Sequence, residues 1–388
     1  MTDARPDRPS PGSTASLRPA NQRRVVELLR AHGDAPITQA DIARTTGLAS
    51  ATVSNIVRAL TASGLVDTEP GSGRRGTVVR LSRAAGVVAG IDVGHTHLAV
   101  AVADLSGRIL AETRKPLEPD HEYDAGLDLA TALLEGVLAE TGLEIADVRT
   151  IGMGLPAPIS DNVVRSSAIL PGWVGVNAAE VAQARFGCPV HVDNDANFGA
   201  LAEHRVGVAR EVDDLVFVKV SSGVGAGLII NGEIFRGSHG SAGEIGHLTL
   251  DEQGPLCRCG SRGCLEAYAS TDTAITMMAS QLPGATIDEI FKAAHEGNAA
   301  AMRLLEDAGL HLGWGLATVV NLLNPGMVVV GGDMARAGEL LLDSARLGLR
   351  RHALADAATT PVVISELGER ASMIGAALMA AQMTELIA

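Results

Sequence analysis

The segment GEIGHLTLDEQGPLCRCGSRGCLEA, residues 243–267, holds three of the four cysteines in a chain of 388 residues. Cys257, Cys259 and Cys264 fall within eight residues, and His247 stands ten residues before the first of them. One imidazole and three thiolates suit a tetrahedral structural zinc site. CRCGSRGC has no packing logic of its own as a core element, and Gly260 and Gly263 let the backbone turn tightly around an ion. The expected cofactor is therefore a structural Zn2+ held by His247, Cys257, Cys259 and Cys264. Cys188, far away in FGCPV, reads as an ordinary buried residue.

Working outward, the length suggests two or three domains, and 46% apolar residues suffice for full cores. No run of about 18 apolar residues suggests a membrane span. The polar, Arg- and Pro-rich start does not resemble a signal peptide. The expected location is the cytoplasm, where disulfides are disfavoured and clustered thiols read as metal ligands. The net charge of -14 argues against nucleic acid only on average. Residues 1–83 carry 12 Arg, no Lys and 7 acids, a net of +5, which leaves 19 basic and 38 acidic residues beyond them, a net of -19. A basic first fifth on an acidic body suggests a nucleic-acid module joined to something else. Residues 1–19 read as a disordered tail.

In NQRRVVELLRAHG (21–33), Val25, Leu28 and Leu29 recur at helical spacing until Gly33. Thr38 and Asp41 predict a capped second helix over 38–47, with Gly47 making the turn. Ser50 is expected to cap a third helix in 49–64, whose Val53, Ile56, Val57 and Leu60 form one apolar stripe. Three short helices joined this way read as helix-turn-helix. Ser50, Ala51, Thr52, Asn55 and Arg58 then face outward. They are short hydrogen-bonding groups followed by a base, suited to the major groove. LVDTE (65–69) and TVVRL (77–81) read as strands of a hairpin whose tip presents Arg74 and Arg75 to phosphates or a narrow minor groove. Over QADIARTTGLASATVSNIVRALTASGLV the segment resembles the winged helix-turn-helix of bacterial repressors. The resemblance implies a DNA-binding domain over 20–83 that contacts double-stranded operator DNA through Ser50, Thr52, Asn55, Arg58, Arg74 and Arg75. The linker LSRAAG (81–86) is too short for a loose tether.

VVAGIDVGHTHLAVAVADLSGRILAE (87–112) predicts three strands with turns near Gly94 and at Ser106-Gly107. KVSSGVGAGLIINGEIF (219–235) repeats the strand, Gly-rich turn, strand pattern. NLLNPGMVVVGGDM (321–334) adds a helix end, a strand and a Gly-Gly turn. Three such turns in this order resemble the α/β actin and hexokinase-like (ribonuclease H-like) superfamily. That resemblance implies phosphate loops at Asp92, Gly94 and Thr96 and at Ser222, Gly223 and Gly225, with Asp92 holding metal or water. Gly-Glu-x-Gly-His followed by Cys-x-Cys-Gly-x-x-Gly-Cys-x-Glu further resembles the signature of the ROK family of bacterial repressors and sugar kinases. It implies a two-lobed sugar-binding domain over 87–388. One lobe would span approximately 87–198 with the C-terminal helix 366–388, and the other 199–365.

The resemblance implies a sugar pocket lined by Asn194, Asp195, Glu244, His247 and Glu266, in which Asp195 matches the general base of the kinases. His247 would bind zinc through one ring nitrogen and face the sugar with the other. Carboxylates are strong acceptors for sugar hydroxyls, and a metal fixes the pocket wall. The family's kinases favour Gly-Gly-Thr where this chain has Gly94-His95-Thr96, and Gly-Thr-Gly where it has Ser221-Ser222-Gly223. Ala157 and Ile169 also depart from frequent residues. His95 and Ser221 add side chains where backbone amides must approach phosphates. The loops are therefore read as vestigial, no catalytic residue is expected, and Asp195 is left as a vestigial base and sugar ligand.

The leading expectation is a non-catalytic, sugar-responsive repressor of carbohydrate genes, a homodimer or dimer of dimers on a palindromic operator. A sugar or sugar phosphate would be its effector. The alternative is an ATP-dependent hexose kinase, or a bifunctional regulator and kinase. A redox sensor using the thiols is a third reading, opposed by the closed four-ligand site that would shield them.

Overall fold

The computed structural model describes residues 14–33, 35, 37–70 and 76–387. The chain opens with α1 (Thr14–His32), β1 (Ile37–Thr38), α2 (Gln39–Thr46), α3 (Ser50–Ala62), β2 (Val66–Glu69) and β3 (Val78–Leu81). The three strands form one small sheet in the order β1-β3-β2. Residues 14–19, expected in the disordered tail, instead belong to α1, which runs through Pro19. Proline reads as a boundary because it cannot donate to the helix ladder, and here the helix continues past it. Residues 1–13 lie outside the described residues, as do 71–75, and with them the expected wing-tip residues Arg74 and Arg75.

The cap on α2 forms as the sequence predicts. The Asp41 amide donates to Thr38 Oγ1 at 3.2 Å while the Thr38 amide donates to Asp41 Oδ2 at 3.3 Å. Gly47 ends α2 at φ 70°. Ser50 does not cap α3. The helix begins one residue earlier than expected, Ala49 holds the capping position without a side-chain bond, and its carbonyl already accepts the Val53 amide. Val53, Ile56, Val57 and Leu60 are buried together, as their spacing predicts.

The body continues with β4 (Val87–Val93), β5 (His97–Ala103), β6 (Ile109–Pro116), α4 (Tyr123–Thr141), β7 (Val148–Leu155), β8 (Ile159–Ser160), β9 (Val163–Val164), α5 (Ala178–Phe186), β10 (Val190–Asn194) and α6 (Asp195–Arg205). Then follow β11 (Leu215–Val220), β12 (Val224–Ile230), β13 (Glu233–Ile234), α7 (Glu266–Ala269), α8 (Thr271–Met278), α9 (Ile287–His295), α10 (Ala299–Leu323), β14 (Met327–Gly331), α11 (Glu339–His352), β15 (Val362–Ile364) and α12 (Ala371–Met383). Two five-stranded sheets, β10-β7-β4-β5-β6 and β15-β14-β11-β12-β13, share one topology. In each, an antiparallel meander is extended by two parallel strands. The hairpins β4–β5 and β11–β12 thus occupy equivalent places and aim their turns at the cleft between the sheets.

Helix α12 packs across the first sheet and along α6. Its backbone lies so close to β7 that any Cβ at Gly152 would collide with the Ala376 carbonyl. The far end of α12 enters the first domain's core. Ala377, Ala380 and Ala381 pack in one cluster with Val25, Leu29, Ile42, Val57 and Leu65 and with Val88, Ala103 and Leu105 of the body. The short linker is held too, with Ala85 buried and its carbonyl accepting from the Arg149 guanidinium. Arg30 of α1 donates to the Gln382 carbonyl at 3.1 Å and to the Thr384 carbonyl at 3.0 Å, at the end of α12. Such charge-assisted bonds contribute about 1–3 kcal/mol. Arg30→Ala should therefore speed tryptic cleavage at Arg83 about five-fold or more. Cleavage at the wild-type rate would remove Arg30 from the docking of the two domains.

Candidate functional site: a cleft beside a four-ligand metal loop

A cavity of about 590 Å³ opens between the sheets. Its walls include Gly94 and Thr96 from the first hairpin turn, Ser222, Gly223 and Gly225 from the second, and Asn194, Asp195, Glu244, His247 and Glu266. The five residues expected to bind sugar therefore share one cavity with the two expected phosphate loops. Asp92 lies beneath them, 1% exposed. Ser166, Ser167 and Ile169 also line the cavity. Trp173 is not among the lining residues and is fully buried edge-on to Tyr123.

Local structure explains the placement of each acid. Asn194 caps α6, accepting the Ala196 amide at 2.8 Å, while its Nδ2 donates to the Ala157 carbonyl at 3.2 Å. This puts Asp195 at the first position of the helix, where the dipole favours a carboxylate. Glu266 opens α7 two residues after Cys264, and its Oε2 accepts the Val224 amide of the second loop at 3.1 Å. Glu244 faces Asp195 and Glu266. Burial raises its carboxyl first, the two neighbouring acids add to that, and it is pushed up to about 7.

Beside this wall, one donor atom from each of His247, Cys257, Cys259 and Cys264 lies within 4.8 Å of the others. Cys257 Sγ is 3.9 Å from His247 Nδ1, and the sulfurs of Cys259 and Cys264 are 3.8 Å apart. Thiolates at about 2.3 Å from a tetrahedral ion would be about 3.8 Å apart. The cluster has the donors and spacing for a metal ion. Gly263, at φ 64°, makes the turn that closes it, and a side chain there would strike the Asp251 carbonyl. With Nδ1 turned to the sulfurs, Nε2 is the nitrogen left for the cavity.

Lys219, absent from the sequence expectations, stands at the centre of the cleft. It is the one charge in LVFVKV, and that break in an apolar strand was the available signal. Its Nζ lies 2.8 Å from Asp195 Oδ2, 3.2 Å from Ser372 Oγ and 3.6 Å from Asp92 Oδ2. Burial alone would lower the ammonium, but Asp195 and Asp92 outweigh it and hold Lys219 above its ordinary value. Burial would likewise raise Asp92, and Lys219 followed by His97 pulls it below the carboxylate range. His97 Nε2 is 3.1 Å from Asp92 Oδ2. The loop departures are visible as well. His95 Nε2 sits 3.7 Å from Asp120, and Ser221 Oγ accepts the Asp333 amide at 3.0 Å, tying the second loop to the Gly-Gly turn. On α3, Ser50, Asn55 and Arg58 are exposed and Thr52 is half-buried. Arg58 donates to Asn55 Oδ1 at 3.0 Å.

Residues 88–383 match the ROK family, and residues 17–76 match the MarR family. The chain belongs to the ROK family. It is 28% identical over 370 residues to the xylose repressor of Bacillus subtilis strain 168, covering 92% of this chain and 94% of that protein. It is 32% identical over 383 residues to the DNA-binding transcriptional dual regulator NagC of Escherichia coli K12, covering 94% and 93%. Among solved structures, a ROK family transcriptional regulator homologous to the E. coli MLC protein superposes with a TM-score of 0.77 at 25% identity, over 94% of this chain and 96% of the other. A ROK family glucokinase from Streptomyces griseus, in complex with glucose and AMPPNP, superposes with a TM-score of 0.68 at 30% identity, over 76% of this chain and all of that one. The two named repressor and regulator relatives and the solved regulator each cover 92–94% of this ROK protein, whereas the glucokinase covers 76%.

Glu244 titrates near 4.5 when unperturbed and near 7 in the fold, so the folded state holds an extra proton between those values. The stability this gives is complete below about pH 4.5 and is lost as pH rises through about 7. Glu244→Gln should accordingly raise the thermal midpoint above pH 7 and flatten its decline between pH 5 and pH 8. A parallel decline in both proteins would place the titration elsewhere.

Proposed function

We propose that this ROK protein is a non-catalytic, sugar-responsive transcriptional repressor. The observation that carries the reading is a winged helix packed into the same hydrophobic core as α12, whose other end meets Lys219 of the cleft through Ser372. Two copies would place two α3 helices on a palindromic operator in the cytoplasm. Ser50, Thr52, Asn55 and Arg58 would read bases, and Arg74 and Arg75 would meet the phosphate backbone. Relatives named xylose repressor and N-acetylglucosamine repressor support a sugar or sugar phosphate as effector.

Asn194, Asp195, Glu244, His247 and Glu266 would take the effector's hydroxyls. Zn2+ at His247, Cys257, Cys259 and Cys264 would crosslink the loop that carries Glu244 and Glu266, keeping those carboxylates in position when the effector arrives. Closure on the effector moves the lobe that bears Lys219 relative to α6 and α12. Because α12 is packed into the winged-helix core, that motion changes the relative orientation of the two α3 helices. The ROK glucokinase similarity and the presence of Asp195 favour a kinase as second reading, against which stand His95, Ser221 and an ammonium already bound to Asp195.

The test starts from an operator selected by the protein itself from random DNA. Glucose, xylose, N-acetylglucosamine and their phosphates are screened by thermal shift, and any ligand that raises the midpoint is added to the operator complex. Operator affinity should fall about 5–150-fold, the range of ordinary allosteric coupling. A ligand that fills the cleft and leaves operator affinity unchanged would contradict the repressor mechanism. Cys259→Ser should lose bound zinc by metal analysis together with the sugar response. Full zinc in that variant would remove Cys259 from the ligand set.

A further inference from the structure

The cleft contains two carboxylates that water scarcely reaches, Asp92 at 1% and Asp195 at 5% exposure. Buried carboxylates require compensation by a cation or by hydrogen-bond donors. Among the described residues Asp92 Oδ1 has no hydrogen-bond partner, and its Oδ2 is shared by His97 and Lys219. Asp195 Oδ2 is held by the same ammonium. One Nζ, carried by β11 of the second sheet, thus bridges two acids carried by β4 and α6.

The resemblance to nucleotide-using proteins of this fold implies a divalent ion at Asp92, the aspartate of the first hairpin. Such an ion binds carboxylate oxygens at about 2.0–2.1 Å and keeps several waters. That place is taken here. An ion in contact with Asp92 Oδ2 would fall against an ammonium 3.6 Å from the same oxygen and be repelled by it. The surroundings point the same way. The Ser221 hydroxyl occupies the Asp333 amide, and Arg114 pairs with Glu369 and lies 4.0 Å from Asp333. The second loop and the Gly-Gly turn are thus already tied to each other across one side of the cavity.

We propose that Lys219 is the resident cation of the cleft: its ammonium replaces the divalent ion between Asp92 and Asp195, so that this chain binds neither Mg2+ nor a Mg–nucleotide there. The inference rests on the non-catalytic reading of the cleft and gives it a physical cause. It also means that removing one side chain uncovers a metal site, because two buried carboxylates would then face the cavity without a counter-charge.

The test uses the full-length, zinc-loaded protein and Mn2+ as the probe, with free Mn2+ read by paramagnetic resonance. Wild type and Lys219→Arg should leave Mn2+ free. Lys219→Ala should bind about one Mn2+ per chain, at least ten-fold more tightly than wild type, and Lys219→Ala with Asp92→Asn should lose it. The thermal midpoint supplies a second readout if Lys219→Ala is unstable: Mn2+ should raise it in the single variant and not in the double. Mn2+ binding by wild type that Asp92→Asn abolishes would overturn the proposal. So would a Lys219→Ala protein that neither binds Mn2+ nor is stabilised by it. Neither measurement involves DNA, sugar or turnover. Wild type that binds Mn2+ but fails to turn over ATP would overturn this inference and leave the non-catalytic reading in place.

Discussion

The backbone-to-backbone packing of α12 is the constraint on which the rest of the molecule depends. Gly90 and Gly152 on the first sheet and Gly375 on the helix remove the side chains that would hold β4, β7 and α6 away. Close packing of this kind transmits displacement instead of absorbing it. At one end of α12, Ser372 touches Lys219 in the cleft. At the other, Ala380 and Ala381 sit in the winged-helix core, and the last carbonyls accept from Arg30. The first domain's core is therefore continuous with that of the body.

The cleft combines two opposite ways of holding acids. Asp92 is stabilised as an anion by the Lys219 ammonium, which also bonds Asp195, whereas Glu244, at about pH 7, is half neutral for lack of such a partner. Glu266 is occupied with the Val224 amide. A ligand with several hydroxyls meets acceptors of graded strength, set on a wall that the cysteine loop can lock with a metal. The two hairpin turns that would cradle phosphates in a kinase are present as backbone. Of their side chains, Ser221 accepts the Asp333 amide and His95 sits 3.7 Å from Asp120.

Much of this was legible in the chain. The His247 and cysteine spacing reads directly as a four-ligand cluster because the ligands are local in sequence. Thr38 and Asp41 announce a helix start for the same reason, and the Gly-rich turns mark both hairpins. What escaped were contacts between distant segments. Lys219 is a lone charge in a strand, and nothing local names Asp92, 127 residues before it, as its partner. Val88, Ala103 and Ala380 look like any apolar residues of a strand or helix, so the core they share with the winged helix was invisible. Ser50 seemed a cap because serine favours that position, but the Ala49 carbonyl already closes the first turn. Residues 14–19 read as tail by composition, yet they join α1.

If α12 carries the state of the cleft to the winged helix, its two ends must respond together. Amide hydrogen exchange across the full chain, with and without a sugar that fills the cleft, measures this directly. Changed protection in residues 371–383 and in 21–32, alongside the change at residues 194–195 and 219–225, is the predicted result. Protection that changes only around the cleft, in a protein whose operator affinity nevertheless falls, would contradict the account.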